Sequence, residues 1–198
     1  MTDTLVFVNA GCGHEGSSLP SYFAGWNQLR VDIDISTNPD ILTSITDLSR
    51  VADGSADAVW SSHTLEHLFA HEVPVALSEF RRVLKEDGFV CIVVPDLQVI
   101  ADLIATDRLM ETIYDSPAGP VSAHDMIWGF SPALASGKTA MAHHCGFTPT
   151  PFLKSLTDAG FEEILLRRKQ TLELVAIAVP YYSEGTVHLE RKLTELGF

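Results

Sequence analysis

A glycine-rich turn follows the first apolar run of the chain, and its residue types could hold a nucleotide. The stretch FVNAGCGHEG, residues 7–16, sets Gly11, Gly13 and Gly16 directly behind a run that is typical of a buried strand. Glycine permits a positive φ and lets a ligand approach the backbone where a Cβ would collide. A plain bend from a strand into a helix uses glycine in the same way, so the turn alone leaves both interpretations open.

Two acids lie where nucleotide-binding α/β domains place the carboxylate that binds ribose hydroxyls. The second apolar run ends in VDID, so Asp32 follows Gly13 by 19 residues and Asp34 follows it by 21. Aspartate also begins turns such as the one predicted at STNPD. Together with the glycine turn, the acids favour a nucleotide site, but the spacing does not decide which of them binds the ribose.

A run of histidines could bind a metal. The stretch HTLEH, residues 63–67, matches the H-x-x-E-H pattern in which zinc peptidases place two histidines on one helical face. Here His63 directly follows a predicted strand and is expected in a turn, which separates it from His67. We therefore predict that Glu66 and His67 satisfy backbone groups or each other, and that no metal is bound.

A second group of polar residues comprises His143, His144 and Cys145, with His124 upstream. No C-x-x-C pair accompanies them, which argues against a metal site. Loop histidines of this kind bond to the backbone or contact a substrate. An imidazole has a reference pKa of ~6.5, so His63, His143 and His144 are the candidates for a general base.

The elements that must position these residues alternate along the chain. Short apolar runs that fit strands buried on both faces are TLVFVNA, QLRVDIDI, DAVWSS, FVCIVVP and LELVAIAVP. Helical patterns such as VALSEFRRVL lie between them, which predicts a doubly wound α/β fold with a mostly parallel sheet. The last two strand candidates, in residues 161–180, are close enough for an antiparallel hairpin at the sheet edge, and residues 97–145 are expected to form an insertion of short helices and loops.

Composition limits the partners. The chain has 198 residues, which fits one domain, and its net charge of −13 disfavours nucleic acid. No apolar stretch approaches the ~20 residues that span a bilayer, so we expect no membrane partner. The start lacks a basic leader, and the 3 cysteines are far apart, so a cytoplasmic location is expected. The oligomeric state, monomer or homodimer, stays open.

The ordered series of motifs resembles that of class I S-adenosylmethionine-dependent methyltransferases, in particular small bacterial ones of type 11. The segments that carry the resemblance are FVNAGCG, RVDID, ITDLSRVADGSADAVWSSHTLEHL, EFRRVLKEDGFVCIVVPDL and HHCGFTPTPFLKSLTDAGFEEI. They cover roughly residues 5–100 and 140–180. The resemblance implies a Rossmann-like sheet of seven strands and S-adenosylmethionine as the cofactor.

Site residues also follow from this resemblance. It implies that the cofactor contacts Asn9, Ala10, Gly11, Cys12 and Gly13 in the turn, Asp32, Ile33 and Asp34 after the second strand, Asp47 and Leu48 beside the adenine, and Ser62 and His63 near the sulfonium. Because the first predicted strand begins almost at residue 4, we expect the N-terminal helix that covers the site in many relatives to be missing or very short here. We therefore predict that residues 97–145 cap the site and select a small-molecule acceptor. The alternative function is a non-catalytic cofactor-binding module or partner subunit.

Overall fold

The fold is known from a computed structural model that describes residues 4–16, 19–116, 118–181 and 186–198. The strands are β1 Val6–Ala10, β2 Asn27–Asp32, β3 Ile41–Leu42, β4 Ala56–Ser62, β5 Leu84–Pro95, β6 Thr112–Ser116, β7 Gly119–Ser122, β8 Glu163–Arg168 and β9 Glu173–Val179. The α-helices are α1 Val73–Val83, α2 Leu97–Ala105, α3 Ala123–Trp128, α4 Ser131–Ala135, α5 Pro149–Asp158 and α6 Thr186–Glu195.

Seven of the strands form one mixed sheet in the order β3-β2-β1-β4-β5-β9-β8. The first five strands of this sheet run parallel, and β9 pairs antiparallel with β5. Strand β8 lies at the edge and pairs antiparallel with β9. The predicted doubly wound, mostly parallel sheet with an antiparallel edge hairpin is therefore confirmed. The order reverses between β1 and β4, where ligands bind beyond the carboxyl ends of the strands.

Helices cover both faces of this sheet. On one face, α1 and α5 bury side chains such as Phe80 and Phe152 against the strands. On the other face, α6 buries Leu189 and Leu193 beside Phe7 of β1. The central strands β1, β4, β5 and β9 are largely buried, which explains their continuous apolar runs, whereas β2, β3 and β8 toward the edges are more exposed.

The connections near the first three strands differ from the predicted alternation of strand and helix. Only a 3-10 turn, Ser21–Phe23, is described between β1 and β2, and another, Ile35–Thr37, lies between β2 and β3. Glycine and proline at Gly16, Pro20 and Gly25 oppose a helix in the first connection. Phe23 stacks on Phe7 with ring centroids 4.3 Å apart and so covers the sheet in place of a helix.

The insertion, residues 97–145, contains helices α2 to α4 and a 3-10 turn, Thr139–Met141. It also contains an antiparallel pair, β6 and β7, which the sequence analysis did not predict. These strands are only five and four residues long, too short for a clear alternating pattern. Ile100, Val121 and Met126 form a small core of their own inside the insertion. In the described part of the chain, no helix is both long and apolar enough to cross a membrane.

Candidate active site

The glycine turn is tied to the end of the neighbouring strand. The amides of Gly11 and Cys12 both donate to the carbonyl of Val31, at 2.9 and 3.0 Å. Gly11 has a φ of +77°, and a Cβ there would clash with the side chain of Thr64. Both the backbone conformation and the close approach of Thr64 therefore require glycine at this position. The predicted contact residues Asn9, Ala10 and Cys12 are buried beside the turn.

Asp32 and Asp34 occupy different places although they are two residues apart. Oδ2 of Asp32 accepts from the amide of Gly13 at 2.9 Å, and Oδ1 accepts from the amide of Asp34 at 2.9 Å. The carboxylate of Asp34 instead caps the next turn by accepting from the amide of Ser36 at 2.8 Å, which lowers its pKa. Asp32 thus lies against the glycine turn, and its carboxylate oxygens keep lone pairs that can accept further hydrogen bonds.

The two residues predicted to lie beside the adenine, Asp47 and Leu48, differ in burial. Leu48 is fully buried in the core, and its amide donates to Oε2 of Glu79 at 2.7 Å. Asp47 is exposed and lines a groove of about 760 Å³ between its loop and α1. Ile33 lies 59% exposed immediately after Asp32 and offers an apolar surface at the carboxyl end of β2.

His63 lies at the carboxyl end of β4, next to Ser62. It has a φ of +52°, which is uncommon outside glycine, and its amide donates to the carbonyl of Val93 at 2.9 Å. Its Nε2 lies 2.7 Å from Oε1 of Glu173, and its Nδ1 lies 3.3 Å from Oε1 of Glu66. Both ring nitrogens therefore face carboxylates, which leaves neither of them to accept a proton from an acceptor.

The charges of His63, Glu66 and Glu173 stabilise one another. Burial favours the neutral imidazole, but the carboxylates of Glu173 and Glu66 outweigh it and raise the pKa of His63 to about 10. Burial likewise opposes the charge of Glu173, yet bonds from His63 and Thr171 lower its pKa to about 2. Glu173 begins β9, and no motif around it in the sequence indicates a role in the site. Its place beside His63 follows only from the antiparallel pairing of β5 with β9.

His143 and His144 are neighbours in sequence but face different surroundings. The ring of His143 lies 4.8 Å from that of His67, and its Nδ1 bonds to the carbonyl of Met126 at 3.0 Å. His144 is exposed and stacks on Phe69 with centroids 4.3 Å apart. Of the three predicted base candidates, His63 and His143 both lie near Glu66, whereas His144 faces Phe69.

The insertion reaches the glycine turn. Nζ of Lys138 lies 3.2 Å from Nε2 of His14, which directly follows Gly13. Lys138 also acts electrostatically on Asp34 and lowers its pKa. A segment near the end of the insertion therefore crosses the carboxyl edge of the sheet where β1 and β2 end.

Comparisons with known proteins agree with this geometry. Residues 8–92 match the family model described as a methyltransferase domain. A SAM-dependent methyltransferase from Methanosarcina mazei is 17% identical, with 92% of this chain and 95% of that one covered and a TM-score of 0.60. The Burkholderia thailandensis 1,6-didemethyltoxoflavin-N1-methyltransferase, with bound 1,6-didemethyltoxoflavin and S-adenosylhomocysteine, is 16% identical, with 89% and 71% covered and a TM-score of 0.56.

One further similar structure is much longer than this chain. The CMeT domain of the citrinin polyketide synthase is 15% identical, with a TM-score of 0.56, and the match covers 91% of this chain but 47% of that one. No curated protein matches the chain in sequence. At these identities the structures establish the fold, and the family model adds the domain. Residues 8–92 are therefore similar to a methyltransferase domain, and the chain has the fold of S-adenosylmethionine-dependent methyltransferases.

Proposed function

We propose that the protein transfers a methyl group from S-adenosylmethionine to a small-molecule acceptor held beneath the insertion, residues 97–145. The observation that carries this proposal is the contact between Lys138 and His14 at 3.2 Å. It places part of the insertion beside the turn that is predicted to bind the cofactor. Function often resides in such added segments while the scaffold supplies the binding of the cofactor.

The residues present suit an adenosyl cofactor. Asp32 is the proposed ribose acceptor, because its carboxylate lies against Gly13 and can accept further hydrogen bonds. Ile33 is proposed to flank the adenine, and Ser62 and His63 to lie near the methionine end. Bound S-adenosylmethionine would supply an activated methyl group on a sulfonium.

Alignment of the reactants is the chain's proposed contribution to the rate. Holding two reactants in line and excluding water lowers a barrier by up to ~7–11 kcal/mol. His63 cannot act as a base while Glu66 and Glu173 occupy its two nitrogens. We therefore propose a structural role for His63: held by the two carboxylates at the end of β4, it fixes the shape of this side of the site.

Side chains of the insertion divide into two groups. Tyr114, Met126 and Phe130 pack in its small core. Met110, Trp128 and Met141 are exposed, at 72%, 47% and 38% respectively. We propose that the exposed group, Trp128 foremost, contacts the acceptor.

The experiment is to incubate the protein with methyl-labelled S-adenosylmethionine and a panel of small alcohols, phenols, amines and thiols, and to measure labelled product and S-adenosylhomocysteine. Transfer to one class supports the proposal. Binding of S-adenosylhomocysteine without transfer to any acceptor favours the non-catalytic module, and no binding at all would overturn the assignment of the cofactor site.

A further inference from the structure

Three side chains of metal-ligating types meet beside His63. One carboxylate oxygen of Glu66 and one ring nitrogen each of His67 and His143 all lie within 4.8 Å of one another. Glu66 and His67 belong to the 3-10 turn Leu65–His67, whereas His143 comes from the end of the insertion. This set differs from the H-x-x-E-H pairing of His63 with His67, because the fold replaces His63 with a histidine distant in sequence.

Backbone carbonyls engage Nδ1 of both histidines and so favour the tautomer in which Nε2 can bind a metal. Nδ1 of His67 bonds to the carbonyl of Ala142 at 3.1 Å, and Nδ1 of His143 bonds to the carbonyl of Met126 at 3.0 Å. A carbonyl only accepts, so each Nδ1 carries a proton, and in the neutral ring Nε2 then holds the lone pair. Such outer bonds to backbone carbonyls are the usual support of metal-ligating histidines.

The carboxylate of Glu66 is buried and lacks hydrogen bonds. Its residue is 1% exposed, and neither oxygen has a hydrogen-bond partner among the described residues. Its nearest cationic neighbour is Nδ1 of His63, at 3.3 Å from Oε1. A buried carboxylate is costly unless it is paired, hydrogen-bonded or bound to a metal. The described side chains leave its bonding capacity largely unused.

Backbone bonds fix the two segments against each other. The amides of His144 and Cys145 both donate to the carbonyl of Glu66, at 2.8 and 3.2 Å. The thiol of Cys145 donates to the carbonyl of Leu65 at 3.4 Å. The segments that carry the three side chains are therefore held together by the backbone, which brings these side chains near one another before any ion binds.

We propose that Glu66, His67 and His143 bind a divalent metal ion of the zinc class. Two imidazoles and one carboxylate form a ligand set that zinc accepts, with a fourth position left for water or another oxygen ligand. The ion would join the turn after β4 to the end of the insertion. It would also give the buried carboxylate of Glu66 a second positive partner besides His63.

The test uses the full chain after treatment with a chelator, with Zn²⁺ alone as the probe in calorimetry and Co²⁺ as a spectroscopic probe. We expect one equivalent of Zn²⁺ to bind and to raise the melting temperature, because an ion that binds only the folded state stabilises it. His143→Ala should weaken zinc binding by more than the ~10–100-fold lost with an outer-shell partner. It should also abolish the visible Co²⁺ bands.

His144→Ala is the matched control, since this exposed neighbour stacks on Phe69 outside the ligand set. It should bind zinc as the wild type does. Glu66→Gln keeps the shape of the side chain and tests the site if His143→Ala fails to fold. Absence of zinc binding in the wild type, or equal binding by the wild type, His143→Ala and Glu66→Gln, would overturn the proposal.

Discussion

His63 and Glu173 are 110 residues apart in sequence, yet Nε2 of the first lies 2.7 Å from Oε1 of the second. His63 follows β4 and Glu173 begins β9, and both strands pair with β5. Because β9 runs antiparallel to β5, its first residue reaches the edge where the parallel strands end. The antiparallel edge hairpin thereby supplies a carboxylate to the ligand-binding side of the sheet.

This pair should be energetically coupled. We expect a double-mutant cycle with His63→Gln and Glu173→Gln, measured by urea unfolding of chelator-treated protein at pH 7, to give a coupling free energy of about 1 kcal/mol or more. The control is Lys154 with Asp158, an exposed pair on α5 at 2.6 Å. Exposed helix pairs give only about 0.3–0.5 kcal/mol. A coupling no larger than that control would contradict the assigned role of Glu173.

Asp32 and Asp34 should differ in their effect on the cofactor. Loss of a hydrogen bond to a charged group costs ~1.5–3 kcal/mol, so Asp32→Ala should weaken binding of S-adenosylhomocysteine roughly 10- to 100-fold in calorimetry. Asp34→Ala removes a bond to Ser36 within a turn and should change the affinity far less. If Asp34→Ala proved the more damaging, the ribose would bind two residues further along the chain than we propose.

Gly11 can be tested against a glycine that shares its conformation. An alanine at position 11 would have to adopt a φ of +77° and would also clash with the side chain of Thr64. Gly25 has a similar φ of +81°, but nothing lies close enough to clash with a Cβ there. Positive φ costs roughly 1–2 kcal/mol for alanine, and overpacking adds roughly 1–3 kcal/mol. Gly11→Ala should therefore destabilise the fold more than Gly25→Ala in urea unfolding. Thr64→Ala should reduce that excess, and equal costs for the two glycines would contradict the steric argument.

Much of this arrangement could be predicted from the sequence. Apolar runs and the order of the motifs gave the sheet and its edge hairpin, because burial on both faces leaves a local signature. The general alternation of strand and helix suggested helices after β1 and β2, but in the described residues these connections contain only 3-10 turns. Short pairings such as β6 with β7 carry too few residues for a periodic signal.

Contacts between distant side chains were beyond the sequence. Glu173 stands in an ordinary apolar strand, and nothing nearby indicates that it faces His63. The histidines at 143 and 144 look equivalent in sequence, yet one turns toward Glu66 and the other toward Phe69. Such choices depend on how the insertion packs on the sheet, and no local pattern records them.

Asp125 should make the stability of the insertion depend on pH. It is nearly buried, which opposes its charge, but bonds from Ser122 and Ser131 outweigh burial and lower its pKa from 3.8 to about 2. Because the pKa of Asp125 is lower in the folded state, its charge stabilises the fold at pH values above the ordinary pKa of 3.8. That stabilisation is lost as the pH falls toward 2. The shift corresponds to about 2 kcal/mol at neutral pH.

We therefore expect Asp125→Asn to lower the free energy of unfolding at pH 6 and to differ much less from the wild type near pH 2.5, as measured by urea unfolding. Asp115→Asn, at an exposed position of the same insertion, serves as the control and should have little effect at either pH. A difference for Asp125→Asn that stayed constant with pH would assign its effect to lost packing rather than lost charge.

The contact between Lys138 and His14 should slow the release of the product. If the insertion covers the cofactor, S-adenosylhomocysteine can leave only when the segment around Lys138 moves away from the glycine turn. Removing one exposed polar contact is worth roughly 0.2–1 kcal/mol, so Lys138→Ala should speed dissociation up to about fivefold in stopped-flow measurements. Lys154→Ala, which removes a surface lysine on α5, should leave the rate unchanged. Equal dissociation rates for Lys138→Ala and the wild type would mean that this contact does not restrain the insertion over the cofactor, and the cap would then have to be held by its packing alone.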